Sequence, residues 1–189
     1  PFFIVYNPFE LPDSLKVTNF WRELAKEAGL PGLHIVAENH SGVNDWNYQA
    51  AGFDATYRLK FPETRASWSP WDKPFEKIRN KLFDLLKIPN LYFYKKAVDD
   101  ISLQAEQCSG SYPCIIPNWD NSPRSGVNAR VFLGSTPELF RSHFKKALNL
   151  VKGLPKDERF IIIKSWNEWA EGNYLEPDLK FGHKYLEVI

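Results

Sequence analysis

The chain has 189 residues, with 24 Lys and Arg against 23 Asp and Glu and 43% hydrophobic residues, enough for one domain with a sizeable core. Its net charge of +1 is spread without a basic run, which excludes affinity built on nucleic-acid phosphates, and no apolar stretch nears the ~20 residues that cross a bilayer. The outlier is aromatic content: 14 Phe, 8 Tyr and 7 Trp make up 15% of the residues, which fits a large core or a stacking surface.

Taken in chain order, the run from Phe2 to Tyr6 reads as a fully buried strand, broken by Asn7 and Pro8. Val17, Phe20, Trp21, Leu24 and Ala28 then recur at helical spacing, so a helix is expected over Ser14 to Ala28, capped by Asp13 or Ser14 and ended by Gly29 and Pro31. Leu33 to Ala37 is a second apolar run, leading straight to Glu38 and Asn39, and Ala55 to Leu59 reads as a short third strand. Pro62 to Asp72 reads as an excursion loop, and a helix is expected from Pro74 to Leu86. Cys114 to Pro117 is a short strand that exits through Asn118, Trp119, Asp120 and Asn121. Ser135, Thr136, Pro137 and Glu138 form a capping box opening a helix whose stripe is Phe140, Phe144, Ala147, Leu148 and Val151. Phe160 to Ile163 reads as the most buried strand, running out through Trp166, Asn167, Glu168, Trp169, Ala170 and Glu171, and Phe181 to Ile189 reads as a helix stopped partway.

Continuous apolar runs separated by amphipathic helices mean parallel strands covered on both faces, an α/β class. A (β/α)8 barrel of TIM type is preferred over a doubly wound sheet, because no Gly-rich phosphate loop follows the first strand and polar groups gather at four strand exits: Asn7, Glu38 with Asn39, Asn118 to Asn121, and Asn167 to Glu171. About five strands are legible where a barrel needs eight. The chain, residues 1–189, therefore reads as one domain, the C-terminal part of such a barrel. Its missing half is expected in the same polypeptide or in a partner copy, and the absence of Met and the abrupt opening at Pro1 agree with a piece of something longer.

The scan for nucleotide, serine-esterase, zincin and Cys-x-x-Cys signatures is negative, and His34, His40, His143 and His183 lack ligand spacing, so no metal and no cofactor are expected. Asn39, His40 and Ser41 form a chance sequon. Cys108 and Cys114 permit a small disulfide loop without requiring one, and no leader pattern opens the chain; the cytoplasm is the expected compartment.

What survives is a pair of carboxylates, Glu168 and Glu171. Work at a glycosidic bond needs one group to hand over a proton while the other stays ionised, with ~5 Å between them in retaining enzymes. Three residues apart in a strand they would lie ~10 Å apart, whereas in a helical turn they approach ~5 to 6 Å. The chain must therefore turn just after Glu168, and Gly172 makes that plausible. Trp119, Trp166 and Trp169 at the same exits could stack on sugar rings, with Asn118, Asp120, Asn121, Asn167 and Glu38 fixing hydroxyls and Arg124 holding an anionic group. An Arg in a loop is more often a salt-bridge partner, and Trp21 belongs to the core.

The stretch Ser165-Trp166-Asn167-Glu168-Trp169-Ala170-Glu171-Gly172-Asn173-Tyr174-Leu175-Glu176-Pro177-Asp178, with Pro117-Asn118-Trp119-Asp120-Asn121-Ser122-Pro123-Arg124, resembles the WbsX-type proteins of surface-polysaccharide gene clusters. These are related to glycoside hydrolase family 99, the endo-α-mannosidases. Val5-Tyr6-Asn7-Pro8, Leu11-Pro12-Asp13, Trp21-Arg22 and Ala28-Gly29-Leu30 are similar too, so the resemblance covers nearly the whole chain. It implies a (β/α)8 barrel. It also implies Glu168 as the base that draws the proton from a sugar 2-hydroxyl, giving an anhydro-sugar, and Glu171 as the acid, then base, at the leaving oxygen. Where the hydrolases carry His before the second Glu, this chain has Ala170.

The expectation ranks first a carbohydrate-active enzyme cutting glycosidic bonds of a surface or complex oligosaccharide or polysaccharide. Second comes a WbsX-type glycosyltransferase of lipopolysaccharide or O-antigen biosynthesis, without nucleotide or Mg²⁺ dependence because no Asp-x-Asp occurs. Third is a non-catalytic carbohydrate-binding module.

Overall fold

The computed structural model describes residues 1–39, 46–59, 61, 75–106 and 110–189. The loop expected over Pro62 to Asp72, His40 of the sequon, Pro74 and Cys108 lie outside the described residues. Four strands, β1 (Phe2–Val5), β2 (His34–Glu38), β3 (Ala55–Tyr57) and β5 (Ser111–Tyr112), form an all-parallel sheet in the order β1-β2-β3-β5. Pro113, which has no N–H to donate, separates β5 from β6 (Cys114–Ile115). Strand β6 pairs in parallel with β8 (Ile162–Ile163). A second parallel pair joins β4 (Asn90–Phe93) to β7 (Arg130–Leu133).

Strand β2 is buried on both faces, as a covered parallel strand must be. Ile35 and Ala37 face a cluster with Val5 and Phe53, while Val36 faces the central core of Tyr92, Tyr94, Ile101, Ile116 and Phe132. Helix α1 (Ser14–Glu27) is capped by Asp13, whose carboxylate accepts from the Lys16 N–H at 3.0 Å. It lies directly on Gly52, where a Cβ would stand 2.0 Å from the Thr18 hydroxyl and φ is +90°. Helix α2 (Glu76–Leu85) follows, then α3 (Tyr94–Glu106), a short α4 (Ser122–Ser125) and α5 (Pro137–Val151). Thr136 caps α5 by accepting from the Leu139 N–H, and Phe140, His143, Ala147 and Val151 form its buried stripe. An antiparallel hairpin of β9 (Asn167–Glu168) and β10 (Asn173–Tyr174) completes the set.

Parallel strands and covering helices bear out the α/β class, but several expectations need correcting. The strands make separate ladders of two to four strands, and among the described residues they do not close into a barrel. Strand β1 is an edge strand rather than a fully buried one: Phe2, Phe3 and Ile4 are exposed and only Val5 is covered. On α1, Phe20 and Leu24 face outward, and the covered positions are Thr18 and Ala25. Leu148 is likewise exposed on α5, its place in the stripe taken by His143. Ile162 and Ile163 are half-buried, so the strand before the acidic loop is not the most buried. Residues 181–189 form turns and one 3₁₀ turn, Leu186–Val188, instead of a helix.

Strands β4 and β7 and helix α3 were not legible from periodicity. β4 runs into α3 with no turn residue between Phe93 and Tyr94, so one apolar run changes conformation without punctuation. Among the described residues no helix is long and apolar enough to cross a membrane.

Candidate functional site

The expected bend after Glu168 is present. Glu168 ends β9, Trp169–Glu171 forms one 3₁₀ turn, and Gly172 reverses the chain in the left-handed region at φ +57°. The turn is closed by the Gly172 N–H, which donates to the Trp169 carbonyl at 3.0 Å, and Glu168 leads into it as a non-helical cap with ψ 75°. Gly172 is required twice over. Its φ disfavours a side chain, and a Cβ there would stand 3.0 Å from both the Asp120 backbone nitrogen and its Cβ.

That close approach joins two strand exits. The Asp120 N–H donates to the Glu171 carbonyl at 2.7 Å, so the loop after β6 packs against the loop after β9. Across the seam the Arg124 guanidinium, on α4, meets the Glu171 carboxylate at 3.1 Å. Arg124 is thus a salt-bridge partner, the commoner fate of a loop Arg. Glu168 is half-buried, and its carboxylate makes no hydrogen bond or ion pair among the described residues.

The other expected site residues divide. Trp166 and Trp169 are 56% and 48% exposed, so both rings are open to solvent. Trp169 lies flat on Tyr174, ring centroids 3.6 Å apart, and its indole N–H donates to Glu176 at 2.6 Å, which fixes the ring plane. Asn167 is exposed on β9. Trp119 differs from the expectation: it is only 6% exposed and packs edge-on against Phe61 at 4.6 Å, so it is a core ring and not an open platform. Asp120 accepts from the Ser122 N–H, and Asn121 accepts from the Arg130 N–H and donates to Ser125, so both side chains shape the turn itself. Asn118 is half-buried, and its amide oxygen is buried with no hydrogen-bond partner among the described residues.

Glu38 lies at the end of β2 and is 4% exposed. It accepts the Tyr57 hydroxyl at 2.5 Å and faces the Lys164 ammonium at 3.8 Å. Lys164 in turn stands 5.9 Å from the ring centres of Tyr6 and Trp119. Burial, with the Glu38 carboxylate beside it, raises the Tyr57 hydroxyl far above its ordinary value, so Tyr57 holds its proton for Glu38. Tyr6, Tyr57 and Lys164 escaped the sequence reading; the available signal was that each ends, or directly follows, an apolar run at the same sheet end as Glu38.

Cys114 is free, and burial pushes its thiol up to about 12, which leaves an unreactive core residue and no disulfide from it. His143 is buried between α3 and α5, with the Ser102 hydroxyl 3.2 Å from its Nδ1, in keeping with a structural role.

Similar proteins were found in two strains of Xanthomonas campestris pv. campestris, B100 and ATCC 33913. In each, an uncharacterised protein WxcX is 26% identical over all 189 residues of this chain. The chain spans about a quarter, 26%, of the length of these curated relatives. No solved structure matches it. Over residues 1–189, its whole length, the chain matches the family described as Glycosyltransferase WbsX, and it belongs to that family.

Proposed function

We propose that this chain is the carbohydrate-active part of an enzyme that transfers a glycosyl unit between hydroxyl-bearing molecules, with the β9–β10 hairpin as its catalytic edge. The sequence alone ranks hydrolysis first. Membership in a family described as glycosyltransferase supports transfer instead. The observation that carries the site assignment is the 3₁₀ turn that follows Glu168, whose carboxylate has no partner among the described residues, and contains Glu171, with the exposed indoles of Trp166 and Trp169 beside it.

In this reading Glu168 is the general base, because its carboxylate is not committed elsewhere among the described residues. An acceptor hydroxyl attacks the anomeric carbon of an activated sugar. The new C–O bond forms as the bond to the leaving group breaks with its electron pair, and the hydroxyl proton passes to Glu168. Negative charge grows on the leaving group, where the Arg124 guanidinium, oriented by Glu171, can stabilise it. Trp166 and Trp169 cover the apolar faces of the sugars.

Hydrolysis by the two carboxylates is the second reading, favoured by the bend that holds Glu168 and Glu171 on one short loop. The intact protein is to be incubated with lipid-linked and nucleotide-linked sugar donors and an oligosaccharide acceptor, and the products weighed by mass spectrometry. A lengthened acceptor, formed by the wild type and not by Glu168→Gln, is the expected result. A released free sugar with no lengthened acceptor would establish hydrolysis, and unchanged turnover in Glu168→Gln would end the assignment of the base.

A further inference from the structure

A cavity of about 170 Å³ opens at the carboxyl ends of β6 and β7, beside the hairpin, and nothing in the proposed reaction uses it. Its wall carries Asn118, Ser135, Tyr174, Asp178 and Tyr185, closed by the rings of Phe132 and Phe181. Its size is close to that of an engineered cavity of ~150 Å³ that takes up one benzene ring, so it suits one sugar ring and not a chain of them.

Proton accounting gives its chemical preference. Ser135 has one hydroxyl proton and spends it on the Pro117 carbonyl at 2.5 Å. The 2.7 Å contact between Ser135 and Tyr185 must then be donated by Tyr185, which spends that proton too. Tyr174 directs its hydroxyl toward Asp178 Oδ2 at 3.4 Å, while Asp178 Oδ1 is taken by the backbone N–H groups of Lys180 and Phe181. Lys180, the cation on the wall, holds its ammonium 4.8 Å from the Phe181 ring centre. Apart from the Lys180 ammonium, the capacity left open is accepting: lone pairs on Tyr174 and Tyr185, the remaining lone pairs of Asp178 Oδ2, and the buried Asn118 amide oxygen, which has no partner among the described residues. A ligand that suits these walls must bring donors, and the carboxylate disfavours an anion.

We infer that this cavity is a binding subsite for one neutral pyranose, which donates its hydroxyls to Asp178, Tyr174 and Tyr185 and lays its apolar face on Phe132 or Phe181. The inference rests on the carbohydrate reading and extends it from the bond-making edge to a neighbouring sugar residue. Tyr174 links the two, since its ring is the one on which Trp169 lies.

The test is ligand-observed NMR and calorimetry on the intact protein, with neutral methyl hexopyranosides as probes and methyl glucuronide and inorganic phosphate as charged comparisons. Saturable binding of a neutral pyranoside at millimolar concentration is expected, with neither anion competing. Asp178→Asn replaces one carboxylate oxygen by an amide donor and should weaken binding about tenfold. Tyr174→Phe keeps the ring and its stack on Trp169, and should weaken binding about threefold with the fold intact by circular dichroism. No pyranoside binding at tens of millimolar, preference for phosphate or glucuronide, or unchanged affinity in a folded variant would each overturn the subsite. The wild type separates the two readings: pyranoside binding by a wild-type protein that shows no transfer with any donor upholds the cavity and undermines the reaction, whereas transfer without pyranoside binding does the reverse.

Discussion

Two kinds of ionisable group share this molecule, and they are held in opposite ways. In the interior, Glu38 is answered by the Tyr57 hydroxyl and the Lys164 ammonium, and His143 is shut between α3 and α5 beside Ser102. On the β9–β10 hairpin, Glu168 is left unanswered among the described residues, and Glu171 meets a single, largely exposed Arg124. A charge with committed partners contributes to stability, whereas a charge without them is open to a ligand. The interior groups should therefore be read out in stability, and the hairpin groups in turnover.

The sharpest way to break that division is Glu168→Gln. Loss of a general base costs 10²- to 10⁴-fold, so turnover by the intact protein should fall about a thousandfold, while the denaturant midpoint stays where it was. A large loss of stability with modest loss of turnover would move Glu168 to the interior class.

The next effect concerns His143, where burial, with the Lys146 ammonium next in weight, lowers the imidazole from its ordinary 6.5 to about 4. The unfolded chain takes up a proton near pH 6.5 and the folded chain does not until about pH 4, so in that window the unfolded state binds more protons. Stability from this group is complete above pH 6.5 and is lost as the pH falls toward 4, by on the order of 3 kcal/mol. Urea titrations at a series of pH values should show a shallower acid decline in His143→Leu, and parallel curves for the two proteins would refute the argument. Turnover in the variant at neutral pH should be unaffected.

Glu38→Ala leaves the Tyr57 hydroxyl without its acceptor in a covered position, which should cost about 2 kcal/mol of stability. Adding Tyr57→Phe removes the orphaned hydroxyl, and the double variant should recover part of that loss in a double-mutant cycle. Additive losses would mean that the 2.5 Å contact is not the source of the effect.

Much of this division could be read from the residues, for definite reasons. Helices α1 and α5 carry caps, a 3.6-residue period and terminating glycines or prolines, so local chemistry names them. The bend after Glu168 follows from the need of Gly172 for a left-handed backbone. What escaped depends on long-range partners. Phe2, Phe3 and Ile4 look like core residues to any local rule, yet β1 is paired only with β2 and leaves them open. Trp119 looks like a stacking platform at a strand exit, and only the approach of Phe61 decides that it is core. Glu38 meets Tyr57 through parallel pairing of β2 with β3, whose register no spacing in the chain reveals.

The smallest stability effect, and the finest test of the contrast, falls on Arg124. Its side chain is 60% exposed against 20% for Glu171, so solvent screens the pair and little stability is at stake. Arg124→Met should therefore shift the denaturation midpoint by less than about 0.5 kcal/mol. If the guanidinium faces the leaving group, kcat should fall by about tenfold or more with KM changed less, because the interaction strengthens only as the bond breaks. Arg124→Lys keeps the charge but loses the planar fork that can hold Glu171 and a second oxygen together, so it should restore only part of kcat. Full recovery with Lys would reduce Arg124 to a simple positive charge, and a fall in stability larger than the fall in kcat would make the Arg124–Glu171 pair a structural clamp between the two loops.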